Sequence, residues 1–233
     1  TAAWLQTHTL GDPLKSLTVQ VGTPYRTGTV FVQELQGAKV TGAEFSCSAD
    51  SLLTGSFNFD AKKYDSSQTL ATATYTAAKP FHGKQMTVKT GTFGAEAAVS
   101  GVRSMSLSWN NAIDTEDYTA GSTGLKAEQI RNGVATISGS VSVDWLTTTK
   151  TAFEDLRVAN TSTSLVFKWT GALIASTYYE DIEICLPGVF FTGDAPSIQG
   201  ADVVTVDYGF EWKYDGTNLP YIKYMSTDAT SIG

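Results

Sequence analysis

Hydrophobic and polar residues alternate with period two along much of the chain. The longest run covers residues 203–214, where Val204, Val206, Tyr208, Phe210, Trp212 and Tyr214 fall on one side. Thr205, Asp207, Glu211 and Lys213 fall on the other. That pattern predicts a half-buried strand, because side chains of a strand point alternately to its two faces. Shorter segments at 17–21, 29–35, 71–76, 85–89, 165–174, 179–186 and 221–225 read the same way. Turn-forming pairs punctuate them, among them Asp12-Pro13, Thr23-Pro24, Asn110-Asn111 and Asp215-Gly216. One helix is predicted from the capping-box spacing of Thr151-Ala152-Phe153-Glu154, with Phe153, Leu156 and Arg157 at helical intervals. A weaker helical pattern of about two turns covers 124–130. Many strands with one flanking α-helix predict a mainly β chain: an antiparallel β-sandwich or open sheet with long hairpins.

An internal repeat organises these strands. Leu53-Thr54-Gly55-Ser56-Phe57-Asn58-Phe59-Asp60 matches Ile137-Ser138-Gly139-Ser140-Val141-Ser142-Val143-Asp144 by residue type. Upstream, Val40-Thr41-Gly42 before Phe45-Ser46-Cys47-Ser48 parallels Val99-Ser100-Gly101 before Ser104-Met105-Ser106-Leu107-Ser108-Trp109. The expectation is two β halves, 1–98 and 99–233, each with a long hairpin, in one body. The second hairpin carries the longer connection, residues 111–133.

The polar faces of these hairpins are short-chained. They read Glu44, Ser46, Ser48, Asp50 and Thr54, Ser56, Asn58, Asp60 in the first. In the second they read Ser104, Ser106, Ser108, Asn110 and Ser138, Ser140, Ser142, Asp144. Ordinary solvated faces mix in Lys, Arg and Glu. Composition agrees: 17% of residues are charged, against about 25% in average domains. Ser and Thr make up roughly a quarter of the chain. Such a face suits solvent, a covering subunit, or the wet lumen wall of a closed β-tube.

Charge narrows the partners. The net charge is −7, with 16 Lys and Arg spread along 233 residues. Gripping DNA depends on basic side chains neutralising phosphates, so this chain is a poor DNA or anionic-membrane binder. An apolar content of 42% excludes intrinsic disorder, and two Cys exclude a disulfide scaffold. No apolar run reaches the length of a membrane-spanning helix, and no signal peptide stands out. The chain starts at Thr1, which implies a removed initiator or a preceding segment.

Catalytic chemistry has little to stand on. His8 and His82 lie far apart without Cys or acidic residues at metal-ligand spacing, and His82 reads as a turn residue. Phosphate-binding glycine loops are absent. No cofactor, metal or catalytic residue is expected. Cys47, on an apolar strand face, and Cys185, on the Asp181/Glu183 face, read as free thiols suited to a reducing compartment, with a disulfide the alternative. The competing functional reading is a jelly-roll glycoside hydrolase, with Glu44, Glu183 and Glu211 as candidate carboxylates. A carbohydrate-binding sandwich with Trp or Tyr platforms is the related alternative.

The order of motifs supplies a resemblance. Leu17-Thr18-Val19-Gln20 and the segment 37–42 open it. The strand 104–111, the polar loop with Asp117-Tyr118, and Ile130 and Gly133 before the strand 137–143 continue it. The helix with Phe153, the strand 181–189, Ile198-Gln199-Gly200-Ala201 and the strand 203–214 complete it. Over nearly its whole length the chain resembles the tail tube (major tail) proteins of long-tailed bacteriophages. Members often carry more residues ahead of the first strand.

The resemblance implies a virion structural protein, not an enzyme, whose inner sheet joins a multi-subunit β-barrel. Hexameric rings, or trimeric pseudo-hexameric ones, would stack axially into a tube that conducts DNA to the host. Its other partners would be the tail proteins at the tube ends, with no membrane involved and assembly in the host cytoplasm. By that analogy Ser104, Ser106, Ser108, Ser138, Ser140, Ser142, Asp144, Thr205 and Asp207 would line the lumen. Asp114, Glu116, Asp117 and Tyr118, in the long loop 112–132, would contact the next ring.

Overall fold

The computed structural model describes residues 2–11, 15–72, 79–120, 125–197, 203–227 and 229. Among them, thirteen strands form one continuous antiparallel sheet. The first half supplies β1 (Trp4–Thr9), β2 (Leu17–Pro24), β3 (Val30–Ser48), β4 (Thr54–Asp60), β5 (Lys63–Asp65), β6 (Met86–Gly91) and β7 (Ala97–Val99). The second supplies β8 (Val102–Asn110), β9 (Thr136–Asp144), β10 (Thr163–Ala175), β11 (Tyr178–Thr192), β12 (Thr205–Trp212) and β13 (Tyr221–Ser226). The main path runs β2-β3-β8-β9-β12-β11-β10-β6-β7. β4 and β5 pair with β3, and β13 joins β11 to β1.

Two long strands let this sheet change direction. β3 pairs with β2 and β5 along its first half and with β4 and β8 along its second. β11 changes partner at Pro187–Gly188, from β13 to β12. Gly188 has φ +77°, and a Cβ there would lie 2.4 Å from the Lys213 carbonyl oxygen, so the switch needs glycine. The sheet then doubles back. Phe167 on β10 and Phe210 on β12 are two strands apart, yet their ring centroids are 6.0 Å apart. One core takes side chains from β3, β8, β10, β11 and β12, among them Phe45, Leu107, Trp169, Ile184, Tyr208 and Phe210. Fully burying a side chain of this size is worth about 1.5–3 kcal/mol.

The helix (residues 147–158) covers one side of that core. It has a π-helical turn at Lys150–Glu154 between two α-helical turns. It starts earlier than the Thr151 capping box predicts. The Leu146 N–H donates to Thr149 Oγ1 (2.9 Å), and the Thr149 hydroxyl donates to the Asp144 carbonyl (2.6 Å). Thr151 sits inside the helix and donates to the Thr147 carbonyl. Phe153 is fully buried, stacked on Tyr208 at 5.8 Å and edge-on to Phe191 at 5.1 Å. Arg157 clamps Glu154 (2.7 Å) and donates to the Gly193 carbonyl (3.1 Å).

Other expectations need adjusting. Residues 125–130 are not helical, because their polar groups are drawn onto the rim of β3 and β4. Lys126 pairs with Asp60, and Gln129 donates to the Asp60 carbonyl (2.9 Å). The last long strand is shorter than 203–214, ending at Trp212. Residues 71–72 are not strand, and 73–76 lie outside the described residues, as do Asp12-Pro13 and Ile198-Gln199-Gly200-Ala201. His82 accepts from the Lys84 N–H (3.1 Å) at a short 3-10 turn.

The two hairpins sit side by side as β4-β3-β8-β9, with β3 antiparallel to β8. One row across them is Gly55, Phe45, Leu107 and Gly139. The matched pair Gly55/Gly139 therefore makes Phe45 equivalent to Leu107, about a local two-fold axis normal to the sheet. The upstream match proposed from sequence is out of register: Val40–Gly42 lies within β3, whereas Ser100–Gly101 lies outside any strand.

Two measurements check this packing. Phe153→Ala should lower the unfolding free energy by about 3–5 kcal/mol in urea, and a loss under about 1 kcal/mol would contradict the core role given to Phe153. Gly139→Ala should cost about 1–3 kcal/mol, since its Cβ would lie 2.1 Å from the Ser106 carbonyl oxygen and 2.6 Å from the Phe210 ring. Gly55→Ala should cost clearly less, its nearest atoms being Phe45 ring carbons at 3.2 Å. Equal costs would argue against the described register.

Candidate functional site: a hydroxyl-lined sheet face

The pairing of β4, β3, β8, β9 and β12 assembles the short polar side chains into rows. One row is Ser56, Glu44, Ser108, Ser138 and Glu211. The next is Thr54, Ser46, Ser106, Ser140 and Gly209. A third is Ser48, Ser104, Ser142 and Asp207, and the last is Asp144 and Thr205. Directly opposed residues of antiparallel strands share a face. All nine residues read from sequence as lumen-lining therefore lie on one surface.

Sequence reasoning leaves Glu44, Ser46, Ser48, Thr54, Ser56 and Glu211 out of that set. Their alternation was visible, but the adjacency of β3 to β8 was not. The opposite face of the same strands is core: Phe45, Cys47, Met105, Leu107, Ile137, Val141, Tyr208 and Phe210 are all buried.

Two pairs of these hydroxyls bond to each other across the strands. Ser106 and Ser140 share a hydrogen bond of 2.9 Å, and Ser46 and Thr54 one of 2.8 Å. Satisfied this way, they need no long partner side chain. The middle rows border an open trough of about 440 Å³. None of the rows contains Lys or Arg. Arg103, at the end of β8, is paired with Asp144 at 2.5 Å.

The loop after β8 is held to the far rim of this surface. Asn111 donates to the Val40 carbonyl (2.8 Å), and buried Lys39 donates to the Gln129 carbonyl (2.7 Å) and pairs with Glu128 (2.5 Å). Asp114 accepts from the Glu116 N–H (2.9 Å), and the Asp117 carbonyl accepts from the Ala127 N–H (2.9 Å). Tyr118 is exposed, with Lys126 Nζ 5.7 Å from its ring centre. The sequence-assigned loop residues are thus gathered at one end of the hydroxyl face.

The carboxylates of the hydrolase alternative do not converge. Glu44 and Glu211 stand in one row with two strands between them, a separation of about 14 Å at normal strand spacing. Retaining glycosidases need about 5–5.5 Å and inverting ones about 6.5–9.5 Å. Glu183 is committed elsewhere: it accepts from the Tyr221 hydroxyl (3.1 Å) and pairs with Lys168 (3.6 Å) and Lys223 (3.8 Å). Three of the five Trp, Trp109, Trp169 and Trp212, are buried and offer no carbohydrate platform, while Trp4 is about half exposed. Cys47 and Cys185 are both buried free thiols, and burial pushes both above the usual thiol range. Among the described residues, no helix is long and apolar enough to cross a membrane.

A search of curated proteins finds no match to the chain. The family model for phage tail tube proteins matches residues 2–212, which spans the hydroxyl face, the loop and the helix. The chain therefore belongs to the phage tail tube protein family and is a structural component of the virion tail.

Proposed function

We propose that the chain polymerises as stacked rings into the tail tube, with the hydroxyl face turned to the lumen through which DNA leaves the capsid. The observation carrying this reading is the set of rows across five strands without a single Lys or Arg. Basic contacts to phosphate strengthen binding, and a conduit must release every base pair it passes. Small hydroxyls and scattered carboxylates give a wet wall to which DNA does not adhere.

β4 is where the neighbouring subunit's sheet would join. It pairs only with β3 among the described residues, and it exposes Phe57 and Phe59 on the face continuous with the core. Joining another copy there would cover these rings and satisfy an open strand edge. Heterologous joining of this kind closes into a ring when the rotation between neighbours divides a full turn. The body would be a sandwich whose inner sheet becomes one stave of a shared barrel, with both halves of the chain in a single unit.

The local two-fold favours six chains per ring over three. Two tube units in one chain would be related about the tube axis, so equivalent strands would point the same way. Here the equivalent strands β3 and β8 are antiparallel, so the repeat counts as one unit. The rim loop, with Asp114, Glu116, Asp117 and Tyr118, would face the next ring.

Virions carrying Ser140→Lys and Ser142→Lys should assemble normal tails but eject DNA more slowly. The defect should shrink as salt is raised, because phosphate contacts weaken with salt. Unchanged ejection kinetics would contradict the lumenal placement. Deleting residues 114–124 should leave folded subunits that fail to form tubes in negative-stain images. Normal tubes from that deletion would refute the loop's role.

A further inference from the structure

The long loop after β8 closes on itself before β9 begins. Ile113 bridges Arg131, with the Asp114 N–H bonded to the Ile130 carbonyl (2.9 Å) and the Asn132 N–H to the Ala112 carbonyl (2.8 Å). The Asn132 side chain adds a third tie, donating from Nδ2 to Asp114 Oδ2 (3.2 Å). Beyond that point the backbone is released. Asn132, Gly133 and Val134 are exposed and lie outside any strand or helix. The Gly133 N–H has no hydrogen-bond partner among the described residues.

Asn132 alone among the chain's asparagines is followed by glycine. A backbone nitrogen reaches the amide carbon of the asparagine before it only if the chain bends tightly at that bond. A side chain at the following position hinders the bend, and glycine has none. A hydrogen bond from the attacking N–H would also restrain it, and here none does.

We propose that Asn132 is a site of spontaneous deamidation in the folded protein. The Gly133 nitrogen, its proton lost to a base in solvent, bonds to Asn132 Cγ. The Cγ–Nδ2 bond breaks, and the amide nitrogen takes a proton from water and leaves as ammonia. Water then opens the cyclic imide at either carbonyl, giving aspartate or isoaspartate. The net change is asparagine and water to acid and ammonia, with no oxidant or cofactor.

The exposed pair Asp215-Gly216 has the same spacing but is guarded. Asp215 accepts from the Asn218 N–H (2.7 Å), the Asn218 side-chain amide (3.0 Å) and the Thr217 N–H (2.8 Å). These donors, the Asn218 N–H foremost, hold its carboxyl below the usual carboxylate range. An ionised carboxylate resists attack by a nitrogen nucleophile. At Asn132 the reaction also changes the loop. The donor that ties it to Asp114 is replaced by a second carboxylate, so attraction becomes like-charge repulsion.

The test holds the folded full chain at mildly alkaline pH and follows it by peptide mass mapping. The peptide containing Asn132 should gain the mass of amide-to-acid conversion ahead of those with Asn110, Asn160 or Asn218, with isoaspartate in the product. Gly133→Ala, whose Cβ would meet only Ala112 at 3.4 Å, should stay folded and convert about tenfold or more slowly. Conversion no faster than at the other asparagines, or only in urea, would overturn the proposal, as would an undiminished rate in Gly133→Ala. Asp215 should yield isoaspartate only after unfolding, and its appearance in the folded chain would refute the guarding role of Thr217 and Asn218. Asn132→Asp should be cut by chymotrypsin after exposed Tyr118 faster than the parent. Equal cutting would overturn the loosening of the loop.

Discussion

A slip of one residue in the pairing of β3, β8, β9 or β12 would exchange that strand's two faces, because side chains alternate with period two. The serines would enter the core, and Phe45, Leu107, Val141 or Tyr208 would move to the polar surface. Burial of this apolar face sets the register, and the register places every hydroxyl. Gly139 marks how tightly it is set, since the Phe210 ring occupies the space where a side chain would stand. The helix depends on the same face, because Phe153 needs both Tyr208 and Phe191 turned inward.

The polar side of the sheet follows a second demand. A sheet face meant for bulk water tolerates Lys and Glu, and usually gains solubility from them. This face instead carries mostly Ser and Thr beside a few carboxylates, and two of its hydroxyl pairs bond across the strands. The chain's basic groups are spent elsewhere. Lys39, Lys126 and Arg103 hold the rims of the hydroxyl face, while Arg157 and Lys168 pin the helix and the β10–β11 pair. In Lys168, burial opposes the charge, but Asp181 and Glu183 outweigh it and hold the ammonium above its usual range. None of the rows themselves carries a cation, and the one Arg that reaches them, Arg103, is neutralised by Asp144 at their end.

Period-two alternation made most strands and both faces of β8, β9 and β12 legible. It works wherever one face is fully buried, as in Thr205–Trp212. It could not show which strands are neighbours, so Glu44 and Glu211 were not recognised as members of one row. Alternation also hid the length of β3, because bulges near Gly37 and Gly42 break the period inside a continuous strand. The helix was readable from Phe153 and Leu156, but its start was not. Thr149, two residues ahead of the predicted cap, closes the turn by reaching back to Leu146. The segment 125–130 had helical spacing of apolar residues, yet the ion pair of Lys126 with Asp60 and the hydrogen bond from Lys39 hold it open. Such long-range tethers leave no local signature.

The most direct test is a cryo-electron microscopy map of tubes assembled from this chain. The account predicts a continuous inner wall in which Ser106, Ser140 and Asp207 of every subunit face the channel and Phe57 lies against a neighbouring sheet. A map placing the serine rows against another subunit, or on the outer surface of the tube, would contradict it.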